Sequence, residues 1–175
     1  QIDLDHFQRI KSLKQRRVFR APSGRAISIE ESASLIKSLE ENSLRTVRNR
    51  AIFYLMLGCG LRRAEVCDLK VKQVSLKNKS AKIIGKGNKE RTIYLNKACL
   101  KAINDYLEVR PKIGIKPDSV KALFLSERKE RISKRTVQYV VDKELRRAGL
   151  DTKKYSTHKL RHTAATLMYQ YGNVD

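Results

Sequence analysis

The chain has 175 residues, 41% of them hydrophobic, with 39 Lys and Arg against 18 Asp and Glu, a formal net charge of +21 and a pI near 10.2. That is long enough for one domain with its own core, and too apolar for a disordered polyelectrolyte. The charge excess suits a polyanionic partner, nucleic acid by default and an anionic membrane surface as the rival; no apolar run approaches the ~20 residues of a bilayer span, and no signal peptide is visible.

Residues 1–24 are basic and poorly patterned, with Lys14, Arg16, Arg17 and Arg20 crowded together and Pro22-Ser23-Gly24 closing the stretch. They read as a linker or arm able to track phosphates. Ser28-Ile29-Glu30-Glu31 is a capping box, and the spacing predicts a helix to about Glu41 that buries Ile29, Ala33, Ile36 and Leu39. A second helix is expected from about Thr46 to Leu57; its run Ala51 to Leu57 is apolar all round, which marks a central helix, with Gly58 and Gly60 as its stop. A short third helix covers Leu61 to Leu69. Arg62 stands just after that glycine break, and Glu65, three residues on, is placed to hold it or its neighbour.

The period then switches to two. Val74–Leu76, Ala81–Ile84 and Thr92–Leu95 read as three strands of a meander, the second joint being Gly85-Lys86-Gly87-Asn88-Lys89. That joint lacks the spacing of a Walker phosphate loop. A fourth helix capped by Asn96 stops before Pro111, Ala122–Leu125 is a short buried piece, and Ser133 caps a fifth helix closed by Gly149. From Arg128 to Arg161 there are twelve Lys or Arg against four Asp or Glu, so the basic density rises toward the next segment.

That segment is His158-Lys159-Leu160-Arg161-His162-Thr163, opening an apolar helical pattern with Thr157 at the N-cap position. His158 and Arg161, three apart, share one helix face near its positive end and suit an oxyanion such as a phosphate. A solvated basic helix start is the plainer alternative. His158 and His162 have the four-residue spacing of a zinc helix, but the accompanying Glu is missing and Lys159 and Arg161 surround them with positive charge, so no metal is expected. Cys59, Cys67 and Cys99 are odd in number and form no Cys-x-x-Cys pair; they read as small buried residues in a reducing, cytoplasmic compartment. The chain starts at Gln1 rather than Met and ends at Asp175, just past a helix stop at Gly172, so a piece of a longer protein is expected.

Three stretches in order, Gly60-Leu61-Arg62-Arg63-Ala64-Glu65, Gly85-Lys86-Gly87-Asn88-Lys89-Glu90-Arg91 and His158-Lys159-Leu160-Arg161-His162-Thr163, resemble the first arginine box, the lysine hairpin and the His-x-x-Arg box of the tyrosine recombinase (phage integrase-like) family. The resemblance covers roughly residues 25–175, closest to the bacterial branch of transposon integrases and chromosome-dimer resolvases. It implies an α+β catalytic domain, mostly helical with a small three-stranded antiparallel sheet, incomplete at its C-terminal end. The first 24 residues would be the arm from a missing N-terminal DNA-binding domain.

The implied activity is site-specific recombination of double-stranded DNA, one strand at a time, through a 3′-phosphotyrosine link and without cofactor or metal. The covalent link stores the bond energy. Arg62 and Arg161 would clamp the non-bridging oxygens, Lys86 would protonate the leaving 5′-oxygen, and His158 would accept or relay the tyrosine proton. Glu65 would orient Arg62, and His162 would be a supporting residue. The family's nucleophilic Tyr and a further His or Trp box lie beyond the last box, so this chain alone is expected to be inert, and Tyr155 is a poor substitute. The full-length protein is expected as a homotetramer on DNA, and this piece as a monomer off the membrane. A non-catalytic DNA-binding module of the same fold, an RNA-binding protein and a type IB topoisomerase are the rival readings.

Overall fold

The computed structural model describes residues 27–39, 43–152, 155, 157 and 159–164. The basic stretch 1–24, His158, Tyr169 and Tyr171 lie outside these described residues.

Helix α1 (Ile29–Lys37) begins as its sequence dictates. The Ser28 hydroxyl accepts from the Glu31 amide at 3.2 Å, and the Glu31 carboxylate accepts from the Ser28 amide at 2.8 Å. It ends earlier than the apolar spacing suggested: the last turn tightens, the Leu39 amide donating to the Ile36 carbonyl three residues back at 3.0 Å, while the Ser38 hydroxyl donates to the Leu35 carbonyl at 2.7 Å. Helix α2 (Leu44–Gly58) starts two residues before the expected Thr46: Ser43 is the cap, and Thr46 supplies the amide it accepts.

As its composition requires, α2 is the central helix. Ala51, Ile52, Phe53, Leu55 and Met56 are fully buried, and α4 (Lys97–Val109) packs along it through Cys99, Ala102, Ile103 and Tyr106. The Tyr106 ring stacks on Phe124 with centroids 5.3 Å apart, while its hydroxyl accepts from the Leu125 amide at 3.1 Å. The apolar piece 122–125 is thus fixed to the core although it forms no regular strand. Beneath it, α5 (Lys134–Arg147), capped by Ser133, buries Val137, Val141 and Leu145. A buried polar chain joins α2 to α5: Arg48 donates to Asn49 and to the Leu125 carbonyl, and Asn49 donates to Glu144.

Between α2 and α4 lie short helix α3 (Arg63–Asp68) and an antiparallel sheet in the order β1 (Val74–Ser75), β2 (Ser80–Ile84), β3 (Glu90–Tyr94). Residues Ala81 and Ile83 of β2 face inward, and Arg91 and Ile93 stand on the same side of β3, since Ala81 pairs with Ile93 and Ile83 with Arg91. The expected meander is present, but β3 starts two residues before Thr92. Among the described residues, no helix is long and apolar enough to cross a membrane.

Candidate active site

The end of α2 sets the site. Gly60, with φ +61°, turns the chain out of the helix and leads directly to Leu61, which is fully buried, and Arg62. Arg62 is the N-cap of α3. Its amide donates to Glu65 Oε2 at 2.8 Å and its Nη1 to Glu65 Oε1 at 3.1 Å. Glu65 thus bonds both the backbone and the side chain of Arg62, and a second arginine joins it. Arg91, from β3, spans the same carboxylate in a fork: Nη1 to Oε1 and Nη2 to Oε2, each at 2.9 Å. From the other end of the chain, Arg161 in the helical segment 159–164 (α6) donates from Nη1 to the Gly60 carbonyl.

Three guanidinium groups thus gather around a single carboxylate that is 5% exposed. Burial pushes the Glu65 carboxyl up, but hydrogen bonds from Arg91 and from the amide and guanidinium of Arg62 outweigh it and hold it down to about 2. It is ionised at neutral pH, and the cluster retains an excess of two positive charges. Arg161 registers that excess: burial, then the field of Arg62, shifts it below the usual arginine value, with Glu65 offsetting only part. A guanidinium stays charged regardless, so the cluster lacks an anion. The Arg62 side chain is 57% exposed and can meet one arriving from solvent.

The β2–β3 hairpin approaches the same place. A Cβ on Gly85 would lie 3.5 Å from Arg91 Nη1 and 3.8 Å from Glu65 Oε1, so the root of the hairpin rests directly on the ion pair. The Gly85 amide donates to the Lys89 carbonyl at 2.8 Å, and Gly87 and Asn88 at its tip both take positive φ. The backbone of Lys86 is one residue from that root. Its side chain, like His158, lies outside the described residues.

Thr157 does not cap α6. It lies within helical backbone, buried, and its hydroxyl donates to Gln138 Oε1 at 3.1 Å. The same oxygen accepts from Arg63 Nη1 at 2.8 Å, and the Gln138 amide donates to Asp142. One side chain of α5 thereby ties the residue after Arg62 to the residue before His158. Thr163 is buried and accepts from the Ile27 amide at 3.0 Å, which anchors α6 to the start of α1. His162 is exposed. Tyr155 is buried with its hydroxyl directed at Glu31 Oε1, 3.5 Å away. Sequence reasoning missed Arg91 and Gln138. For Arg91 a signal existed: it stands two residues before Ile93, on the inward face of a strand, where a cation requires a carboxylate. Gln138 carried none, because only the packing of α5 reveals its partners.

Solved structures share this fold. The chain is similar to the crystal structure of XerA recombinase (TM-score 0.73, 28% identity, 88% of this chain and 55% of that one) and to XerH site-specific recombinase bound to difH substrate in a pre-cleavage complex (TM-score 0.70, 27% identity, 83% and 43%). Residues 25–175 match the Phage integrase family, and the chain belongs to that family. Among curated relatives, it is 55% identical over 149 residues to tyrosine recombinase XerC of Caldanaerobacter subterraneus, covering 85% of this chain and 40% of that protein. To the XerC of Lactobacillus leichmannii it is 37% identical over 144 residues, covering 82% and 48%. The chain spans about half or less of the length of these relatives.

Proposed function

We propose that this chain is the phosphate-binding catalytic part of a tyrosine-type site-specific DNA recombinase, beginning near residue 25. The observation that carries this reading is the convergence of Arg62, Arg91 and Arg161 on Glu65 and Gly60, which leaves a fixed cationic cluster short of one anion. The scissile phosphate of duplex DNA is that anion. As the phosphorus becomes five-coordinate, charge builds on its non-bridging oxygens; Arg62 and Arg161 bind them more tightly in that state than in the ground state. One such contact is worth about 3 kcal/mol, or ~10²-fold in rate.

Glu65 holds Arg62 in place and Arg91 holds Glu65. Lys86, on the hairpin rooted at that pair, protonates the leaving 5′-oxygen, and His158 accepts or relays the proton of the attacking tyrosine. Tyr155 is not that nucleophile, being buried against Glu31. The names of the relatives, all recombinases, favour this over a non-catalytic DNA-binding module. Four copies on two duplexes would carry out recombination in the cytoplasm, with this piece alone a monomer.

A salt-dependent titration with duplex DNA tests the reading. Arg62→Ala and Arg161→Ala each weaken binding and flatten the dependence of log K on log salt by up to about one unit. Slopes identical to the unmodified chain would remove both arginines from the phosphate.

A further inference from the structure

Cys59 and Cys99 face each other where the end of α2 meets the start of α4, their sulfurs 3.6 Å apart and both free thiols. Cys99 is sealed in the core: its amide donates to Asn96 Oδ1 at 2.8 Å, and its sulfur lies 3.2 Å from the Tyr54 carbonyl. A Cβ on Gly58 would come within 2.9 Å of that sulfur, so the backbone of α2 forms one wall of its pocket. Cys59, by contrast, is half-buried and caps the end of α2. The pair therefore has the division of labour that disulfide chemistry needs: an accessible attacking sulfur and a fixed resolving sulfur behind it.

We propose that Cys59 and Cys99 form an oxidation site at which hydrogen peroxide closes an intrachain disulfide that disturbs the neighbouring arginine cluster. The Cys59 thiolate attacks one peroxide oxygen, the O–O bond breaks, and a sulfenic acid forms as hydroxide leaves. That hydroxide takes the Cys99 proton, giving water. The Cys99 sulfur then attacks Cys59, the S–S bond forms, the S–O bond breaks, and a second hydroxide leaves to pick up the proton released when Cys59 ionised. Two thiols and one peroxide give one disulfide and two waters. The contact between the two sulfurs favours the Cys59 thiolate, against the effect of burial, whereas the same contact and burial both keep Cys99 protonated until it resolves.

A disulfide needs its sulfurs at about 2.05 Å, so the gap must close by ~1.5 Å. Cys99 is fully buried and bonded to Asn96 and Tyr54, so the half-buried Cys59 is the partner that moves. Its neighbour is Gly60, whose carbonyl receives Arg161, and Arg62 follows two residues later. Displacement on this scale at a phosphate clamp costs affinity.

Peroxide treatment followed by non-reducing peptide mapping tests the chemistry. The expected product is one linked peptide joining Cys59 to Cys99, reversed by dithiothreitol, with Cys67 left as a free thiol. Cys67 is a built-in control, since burial and then the neighbouring Asp68 push its thiol up to about 11. Duplex DNA affinity of the oxidised chain should fall about fivefold or more and return on reduction, while Cys59→Ser, at a half-buried position, is insensitive to peroxide. A mixture of linkages, or none, overturns the site. A clean Cys59–Cys99 link with unchanged affinity overturns its effect on the cluster. The affinity arm rests on the function proposed above: a reduced chain that ignores DNA would overturn that function, and the peptide map would still judge the thiol chemistry.

Discussion

Arg91 on β3 lies across the carboxylate of Glu65 in α3, fork against fork, and so fastens the root of the lysine hairpin to the base of Arg62. Removing it leaves a buried charge with only Arg62 for a partner. Arg91→Ala should therefore destabilise the fold by about 2 kcal/mol, below the usual cost of breaking a buried pair because Arg91 is partly exposed and Arg62 keeps its bonds. Arg91→Lys, which keeps the charge without the fork, should recover only part of that. Urea unfolding of the three proteins measures it; equal midpoints for all three would deny the pair any structural role.

Glu65 makes the fold acid-sensitive in a defined window. Its carboxyl titrates at about 2 in the folded chain, against 4.5 for a free glutamate, so the folded state binds fewer protons as the pH falls. The stabilisation is complete above about 4.5 and is lost progressively down to about 2, amounting to the order of 3 kcal/mol. Glu65→Gln should flatten the stability profile across that window, as read by thermal melts from pH 6 downward (roughly the top of the carboxylate range). A profile that keeps its slope would move the effect to other carboxylates.

Two glycines at the end of α2 should fail for different reasons. Alanine at position 58 gains helix propensity but drives a methyl to 2.9 Å from the Cys99 sulfur, and should cost about 1–3 kcal/mol net; adding Cys99→Ala should relieve most of it. Alanine at position 60 has room, its Cβ 3.6 Å from Ala164, so its cost of about 1 kcal/mol is backbone strain at φ +61° and no core substitution should rescue it. Thermal melts of the two singles and the Gly58→Ala/Cys99→Ala double check both statements.

Gln138→Ala should loosen the site without touching DNA. It deletes the shared acceptor of Arg63 and Thr157 and should cost about 1–2 kcal/mol. Because those two residues flank Arg62 and His158, DNA affinity should fall severalfold with the salt slope unchanged, which separates positioning from direct phosphate contact. A flattened slope would mean that Gln138 acts through lost cation contacts instead.

Much of this molecule was legible from local chemistry. The Ser28, Asn96 and Ser133 caps stand where expected, and the apolar run 51–57 of α2 and the period-two strands follow from the same short-range rules, with element boundaries shifted by one or two residues. The misplaced boundaries were side chains that could serve two neighbours: Ser43 rather than Thr46 starts α2, and Thr157 turns inward to Gln138 rather than capping α6. Arg62 and Glu65 stand out in one short box and Arg161 in another; the Gly60 carbonyl that receives Arg161 is 101 residues away, a pairing that no local rule gives. Arg91 and Gln138 were not singled out: Arg91 reads as one more cation of the hairpin box, and no spacing rule reaches from position 138 to Arg63, 75 residues away.

The stretch between α4 and α5 has little regular structure and carries several lysines and arginines, which would ordinarily invite trypsin. Arg110 alters that outlook. Its guanidinium reaches back from the end of α4 to the carbonyls of Leu123, Val120 and Ala122, gathering an otherwise irregular strip of chain onto one buried cation. Limited digestion should accordingly spare the bond after Lys121 until the whole domain opens, so that a segment with the look of a loop behaves as part of the core.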